Sequence, residues 1–152
     1  RFLYKYQAQA ECLGFRKDQE VIGRHHGYSR LQDPVSPTRH IVLNSQLQEI
    51  QIHDSLTGKS SHLLSQFFHF HPDCRVERSG LNRYEGHRSD GPRVEFHLDS
   101  QASWNLVHGR EDNILGWYSN QYNQKVPTAC IEGEMQFEGV ATLTTRIRIG
   151  EK

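Results

Sequence analysis

The stretch HLLSQFFHFHP, residues 62–72, concentrates more potential chemistry than any other part of the chain. It is aromatic and apolar and ends in a proline, so it predicts a strand. Alternate side chains of a strand share a face. That would set Ser65, Phe67, His69 and His71 on one side and Leu64, Gln66, Phe68 and Phe70 on the other. Two imidazoles roughly 7 Å apart could share a metal ion or a polar ligand. A structural zinc needs two more ligands and a catalytic zinc one more, and the sequence singles out none. His69 and His71 are therefore read as strand decoration, with substrate contact as the alternative, and no metal ligand is assigned.

Both tryptophans fall in two polar-flanked segments, WNLVHGREDN and GWYSNQYNQKVP. Aromatic rings beside Asn, Gln and Lys suit sugar binding, because the C–H face of a pyranose stacks on a ring. Trp117, Tyr118 and Lys125 are the candidates here, joined by His69 and His71. The competing reading makes Trp104 and Trp117 core fillers, which fits at least one of them in a sandwich. In GRHHGYSR, residues 23–30, His25 and His26 are adjacent and would face opposite ways, so they cannot easily hold one metal. They read as a strand end with one imidazole inward and one in solvent.

Cys12, Cys74 and Cys130 are odd in number and widely spaced, with no CxxC. That excludes a paired disulfide framework and the common zinc fingers. They read as buried or half-buried free thiols. No GxSxG, phosphate-binding glycine loop, HExxH or basic–aromatic nucleic-acid motif is present. No catalytic residue is assigned.

The elements that must position these residues are strands. RHIVLN and LQEIQIHD alternate and are joined through Asn44 and Ser45; DSLTGKS reads as a turn with Gly58 free to take a positive φ. HPDCRVERSG gives a short strand ending at Ser79 and Gly80, and LNRYEGHRSDGP a loop-rich hairpin. RVEFHLDS sets Val94, Phe96 and Leu98 on one face, and ASWNLVHG closes at Gly109. The tail GVATLTTRIRIG sets Ala141, Leu143, Thr145, Ile147 and Ile149 opposite Arg146 and Arg148. No dozen-residue window keeps a 3.6-residue period. The expected fold is all-β: an antiparallel β-sandwich of roughly ten to twelve short strands, with little or no helix.

The 152 residues suffice for one domain, 1–152, without linker or repeat. The 18 basic and 18 acidic side chains cancel, so no global field recruits nucleic acid or an anionic membrane, although ten histidines would charge between pH 7 and 5. No apolar run approaches 18 residues. The chain opens mid-pattern with RFLYKYQAQAECLGF, and its one methionine is Met135, so it is expected to be a fragment of a longer protein. Its localisation is left unassigned.

Three segments together resemble one family. GRHHGYSRLQDPVSPTRHIVL, HFHPDCRVE and GWYSNQYNQKVP are similar, in order and spacing, to segments of heparinase II/III-like proteins. The likeness carries Gly27, Tyr28, His69, His71, Pro72, Gly116, Trp117, Tyr118, Ser119, Lys125 and Pro127 onto this sequence, mostly as architectural residues. His26 stands where the family often has Asp, Asn120 where Pro is usual, and Asn123 where Gly is usual.

The resemblance implies bacterial-type polysaccharide lyases that cleave acidic glycans by β-elimination at a uronic acid, joining a helical toroid to a C-terminal β-sandwich. It would make this chain the C-terminal β-sandwich part, catalytically incomplete alone, with a structural or cleft-lining role. The family's catalytic residues and zinc ligands would lie upstream, leaving this chain with no cofactor of its own. Its partners would be an acidic polysaccharide and the upstream helical and β domains, with homodimerisation through an unpaired sheet edge or an exposed apolar patch as a corollary. Nucleic acid and membrane are not expected. The alternative is a non-catalytic carbohydrate-binding module, in which Trp117 and Tyr118 stack on sugar and Lys125, Arg146 or Arg148 pairs with a uronate or sulfate.

Overall fold

Period-two alternation becomes thirteen β-strands in the computed structural model, which describes residues 7–150 and has no helix among them. The chain falls into two compact units. One holds the residues through Leu63 plus Gln136–Thr144; the other holds Leu64–Met135 plus the residues from Thr145 onward.

In the first unit β1 (Ala10–Arg16), β2 (Glu20–His25), β3 (Ser36–Asn44) and β4 (Glu49–Thr57) form an antiparallel meander beside the first half of β13 (Val140–Ile149). The register sets Ile41 opposite Ile52 and Leu43 opposite Ile50, as the alternation of RHIVLN and LQEIQIHD requires. Val35, Ile52, Leu56, Phe137, Ala141 and Leu143 are its buried apolar side chains. DSLTGKS departs from the sequence expectation: β4 runs on to Thr57, and Gly58 is not among the residues with positive φ. Gly58 is needed for space instead, since a Cβ there would stand 2.7 Å from the His62 ring. At the end of β2, His25 is half-buried with its ring 5.2 Å from that of Tyr28, and His26 is exposed.

In the second unit β6 (Arg75–Gly80), β7 (Arg83–His87) and β8 (Val94–His97) pair with one another, and β8 pairs with the second half of β13. A second sheet runs in the order β5 (His62–His69), β12 (Ala129–Phe137), β9 (Ser103–His108), and the two-residue strands β10 (Trp117–Tyr118) and β11 (Val126–Pro127) make a hairpin. LNRYEGHRSDGP is more ordered than its turn residues suggest. Tyr84 and Gly86 face inward from it, so residues 83–87 pair on both sides as β7.

The two sheets of this unit form a sandwich around aromatic rings. Phe68 and Phe70 meet Phe96 edge-on at 5.5 and 5.3 Å, and Phe68 lies 6.2 Å from Trp104. Such pairs contribute ~0.5–1.5 kcal/mol each beyond the area they bury. The polar ends are satisfied: Tyr84 donates its hydroxyl to the Trp104 carbonyl at 3.0 Å, and the Trp104 indole donates to the Asp99 carbonyl at 2.7 Å. Among the described residues, no helix is long and apolar enough to cross a membrane.

Trp104 on β9 lies opposite Gly133 on β12, and a Cβ at Gly133 would run into the indole ring. Gly133→Ala is expected to cost about 1–3 kcal/mol by overpacking, read as a lower urea midpoint at unchanged slope. An unchanged midpoint would show that the ring has room to move.

Candidate functional site

The β10–β11 hairpin is anchored at its base by backbone geometry and one ion pair. Gly109 ends β9 at φ 60°, and Gly116 enters β10 at φ 75°. The Gly116 carbonyl accepts from two amides, Gly109 at 3.0 Å and Thr128 at 2.8 Å, closing the loop on itself. Arg110 and Leu115 form a small antiparallel bridge within that loop. The Arg110 guanidinium donates to both carboxylate oxygens of Glu132 on β12, at 2.8 and 2.9 Å, and Glu132 is buried. The Arg110 carbonyl accepts the Trp117 indole N–H at 2.9 Å. Arg110 thus fixes both the loop and the ring beyond it.

Adjacent residues in a strand point to opposite faces, so the hairpin presents its two rings separately. Trp117 is half-buried, and the Lys125 ammonium sits 3.8 Å from the centroid of one of its rings, a cation–π contact. Lys125 also donates to the Glu111 carboxylate at 3.2 and 3.3 Å. On the other side, the Tyr118 ring meets that of His71 edge-on at 5.1 Å, and His71 Nδ1 lies 3.3 Å from Asp73. At the tip, Ser119 donates to the Gln121 carbonyl and the Tyr122 ring is fully exposed. Asn123 takes φ 59°, the left-handed region that glycine enters freely and asparagine tolerates best among other residues. Its place at the family's usual glycine is therefore compatible with the turn.

Of the residues singled out from sequence, Trp117, Tyr118, Lys125 and His71 come together around this hairpin, and His69 does not. Side chains alternate along β5, with Gln66 buried, Leu64 and Phe68 half-buried, and Ser65, Phe67 and His69 exposed. β5 then ends at His69. His71 begins a turn, its carbonyl accepting from the Cys74 amide, so the two imidazoles are not a same-face pair within one strand. His69 Nε2 lies 3.9 Å from Cys130 Sγ. This contact is not a nucleophilic dyad. A catalytic thiol needs its pKa lowered, whereas burial pushes the Cys130 thiol up to about 11. Among the described residues, no group of three or more His, Cys, Asp and Glu is placed to hold a metal ion. The thiols are free, and Cys12 is exposed rather than buried because β1 is an edge strand.

Glu111, Arg110, Glu132 and Tyr122 also belong to this site, and sequence reading passed over them. The available signal was the pair of glycines bracketing REDNIL, which marks a closed loop. Nothing in the sequence pairs Arg110 with a carboxylate 22 positions on.

A family model described as heparinase II/III-like, C-terminal, matches residues 1–149. Among solved structures, the chain is similar to the heparan sulfate lyase HepC from Pedobacter heparinus, at 11% identity and a TM-score of 0.69, over 95% of this chain and 22% of that one. It is similar to the heparinase III-BT4657 gene product at 10% identity and a TM-score of 0.71, again over 95% and 22%. A structure of heparinase III matches at 10% identity and a TM-score of 0.69, over 93% and 22%. The chain thus spans 22% of the length of these structures, and identities this low speak for the fold alone. No curated protein matches it.

Two outcomes test the hairpin and its surroundings. A Cβ on Gly116 would stand 2.7 Å from the Thr128 carbonyl oxygen, whereas one on Gly139, at nearly the same φ of 73°, would meet nothing within 4 Å. Gly139→Ala should therefore cost only the left-handed penalty of ~1–2 kcal/mol, and Gly116→Ala about 1–3 kcal/mol more, by chemical denaturation. Equal costs would mean that the loop relaxes around the added methyl. In thiol labelling of the native protein at neutral pH, Cys12 should react and Cys130 only on unfolding; prompt labelling of Cys130 would contradict its burial.

Proposed function

Because the chain belongs to the family of heparinase II/III-like C-terminal domains, we propose that it is the C-terminal β-sandwich part of a polysaccharide lyase acting on uronic-acid-containing glycans, and that its β10–β11 hairpin lines one wall of the glycan cleft. The observation that carries the cleft-lining role is the hairpin's two aromatic faces, Trp117 with Lys125 on one and Tyr118 with His71 on the other, held by Arg110 and Glu132, with the Tyr122 ring fully exposed between β10 and β11. Rings stack on the C–H faces of pyranoses, and neighbouring imidazole and amide groups bond their hydroxyls. Lys125 is engaged by Glu111, so its part is to orient the Trp117 ring rather than to bind a uronate.

β-Elimination needs a group that neutralises the uronate, a base for the C5 proton and an acid for the departing oxygen. His71 and Tyr118 touch ring to ring, and His69 faces a thiol that stays protonated; neither arrangement supplies a poised base. The proton transfers belong to the rest of the parent enzyme in this reading. A stand-alone carbohydrate-binding module is the second reading, favoured by the fully exposed Tyr122 ring.

The test is release of unsaturated uronate, read by ultraviolet absorbance, from heparan sulfate and other acidic polysaccharides. The parent protein should form product, and Trp117→Ala should raise its KM about fivefold, as losing ~1 kcal/mol of stacking implies, with kcat little changed. A parent inactive on every acidic polysaccharide would overturn the lyase assignment. Steady product from the isolated chain, abolished by His71→Ala, would instead give this domain its own active site.

A further inference from the structure

The arginines of this chain are nearly all engaged. Arg16 pairs with Glu20, Arg24 with Glu11, Arg39 with Asp54, Arg75 with Glu77, Arg88 with Asp90, Arg93 with Glu85 and Arg110 with Glu132. Arg78 donates to the Gly80 carbonyl, and Arg30 and Arg148 also have partners. Among the described arginines, Arg83 and Arg146 alone have side chains with neither a hydrogen bond nor an ion pair. Both are exposed, and they are not scattered. The register sets Arg83 on β7 opposite His97 on β8, and His97 opposite Arg146 on β13.

The three residues form one row across three strands. Their neighbours Tyr84, Phe96 and Thr145 face the interior, so the row lies on the outer face. With strands ~4.8 Å apart, the arginine backbones stand roughly 10 Å from each other. The next row of the same face holds Glu77, Glu85, Glu95 and Arg148. Glu77 and Glu85 pair with Arg75 and Arg93 at 3.7 and 3.0 Å, and Glu95 lies 3.3 Å from His97, so each glutamate of that row has a partner other than Arg83 or Arg146. Like charges gathered across a sheet are unfavourable without a counter-charge.

We propose that Arg83, His97 and Arg146 form an anion-binding row for an acidic glycan, each guanidinium taking a carboxylate or sulfate on a different sugar and His97 contacting the chain between them. The proposal rests on the acidic-glycan reading above and extends it to a face remote in sequence from the hairpin. A guanidinium suits this role because its planar fork binds carboxylate or sulfate bidentately and stays charged at any physiological pH.

Titration of the 152-residue chain with a heparan sulfate hexasaccharide at low ionic strength tests it. Arg83→Ser/Arg146→Ser should weaken binding about a hundredfold, since each of the two lost charged hydrogen bonds is worth ~1.5 kcal/mol or more. Arg16→Ser/Arg24→Ser removes the same charge elsewhere and should leave affinity within about twofold. A hexagalacturonate arm assigns the anion: retained binding makes carboxylates sufficient, and lost binding requires sulfate. Equal affinity in the wild type and the Arg83/Arg146 variant, with the fold intact by circular dichroism, would overturn the row alone. A single-stranded DNA hexamer that binds as tightly and depends equally on the two arginines would mark generic polyanion attraction and overturn it too. Failure of the wild type to bind any acidic glycan would remove the substrate class on which both readings stand.

Discussion

The buried carboxylate of Glu132 is the constraint on which the candidate site depends. A carboxylate taken from water into a sheet must be paired and hydrogen-bonded through both oxygens. Among the described residues, the cation that meets it in this way is Arg110, in the loop after β9. That requirement fixes the Arg110 backbone, whose carbonyl then takes the Trp117 indole N–H. Buried ion pairs add little net stability compared with apolar replacements, but they select one arrangement out of several. Here the selected arrangement is the approach of the β10–β11 hairpin, whose strands contribute two residues each and cannot hold a conformation unaided. Gly116 completes the lock, because its carbonyl accepts from Gly109, where the loop begins, and from Thr128, just past β11, at a φ only glycine adopts without strain.

The aromatic sandwich of the second unit follows a different logic. Phe68, Phe70, Phe96 and Trp104 are fixed by shape and area, with single hydrogen bonds at Tyr84 and Trp104 removing the cost of their polar ends. Gly133 is the void that the large indole needs on the facing strand. A ring over a glycine is a local agreement between two strands, and it sets their register more firmly than alternation does. Cys130 sits in the same strand as Gly133 and Glu132, and its thiol stays neutral for the reason that makes Glu132 need Arg110: little water reaches either group.

How much of this could be read from the sequence follows from the same division. β3, β4, β8, β9 and β13 were legible because burial on one face writes a period of two into the residues, as in Val94, Phe96 and Leu98 or Ala141, Leu143 and Thr145. The face assignment along residues 64–69 held for the same reason. β7 was obscured by Gly, Arg and Asp flanks, although Tyr84 carried the signal. Gly58 was misread because a small residue admits two causes, dihedral freedom and lack of space, and only the packed His62 ring distinguishes them. The hairpin's aromatic residues were legible as candidates, but their arrangement was not. The 22-residue separation of Arg110 from Glu132 leaves no local pattern, and an ion pair has no periodicity.

Net charge was the least informative number in the sequence, and the sheet shows why. A chain with 18 cations and 18 anions has no long-range field, yet a binding partner meets rows of side chains, not a sum. On the outer face of β6, β7, β8 and β13 the period-two pleat and the strand register sort charge into lines: Arg83, His97 and Arg146 in one, Glu77, Glu85, Glu95 and Arg148 in the next. Such lines sit only one residue step apart along each face, well inside the screening length of physiological salt, so they largely cancel at a distance. An anion in direct contact with the first line escapes that cancellation, since a bidentate hydrogen bond acts at a few ångströms. In the proposed reading, a chain without net charge would select an acidic glycan by contact while attracting nothing from afar, and that selection would depend on which strands are neighbours.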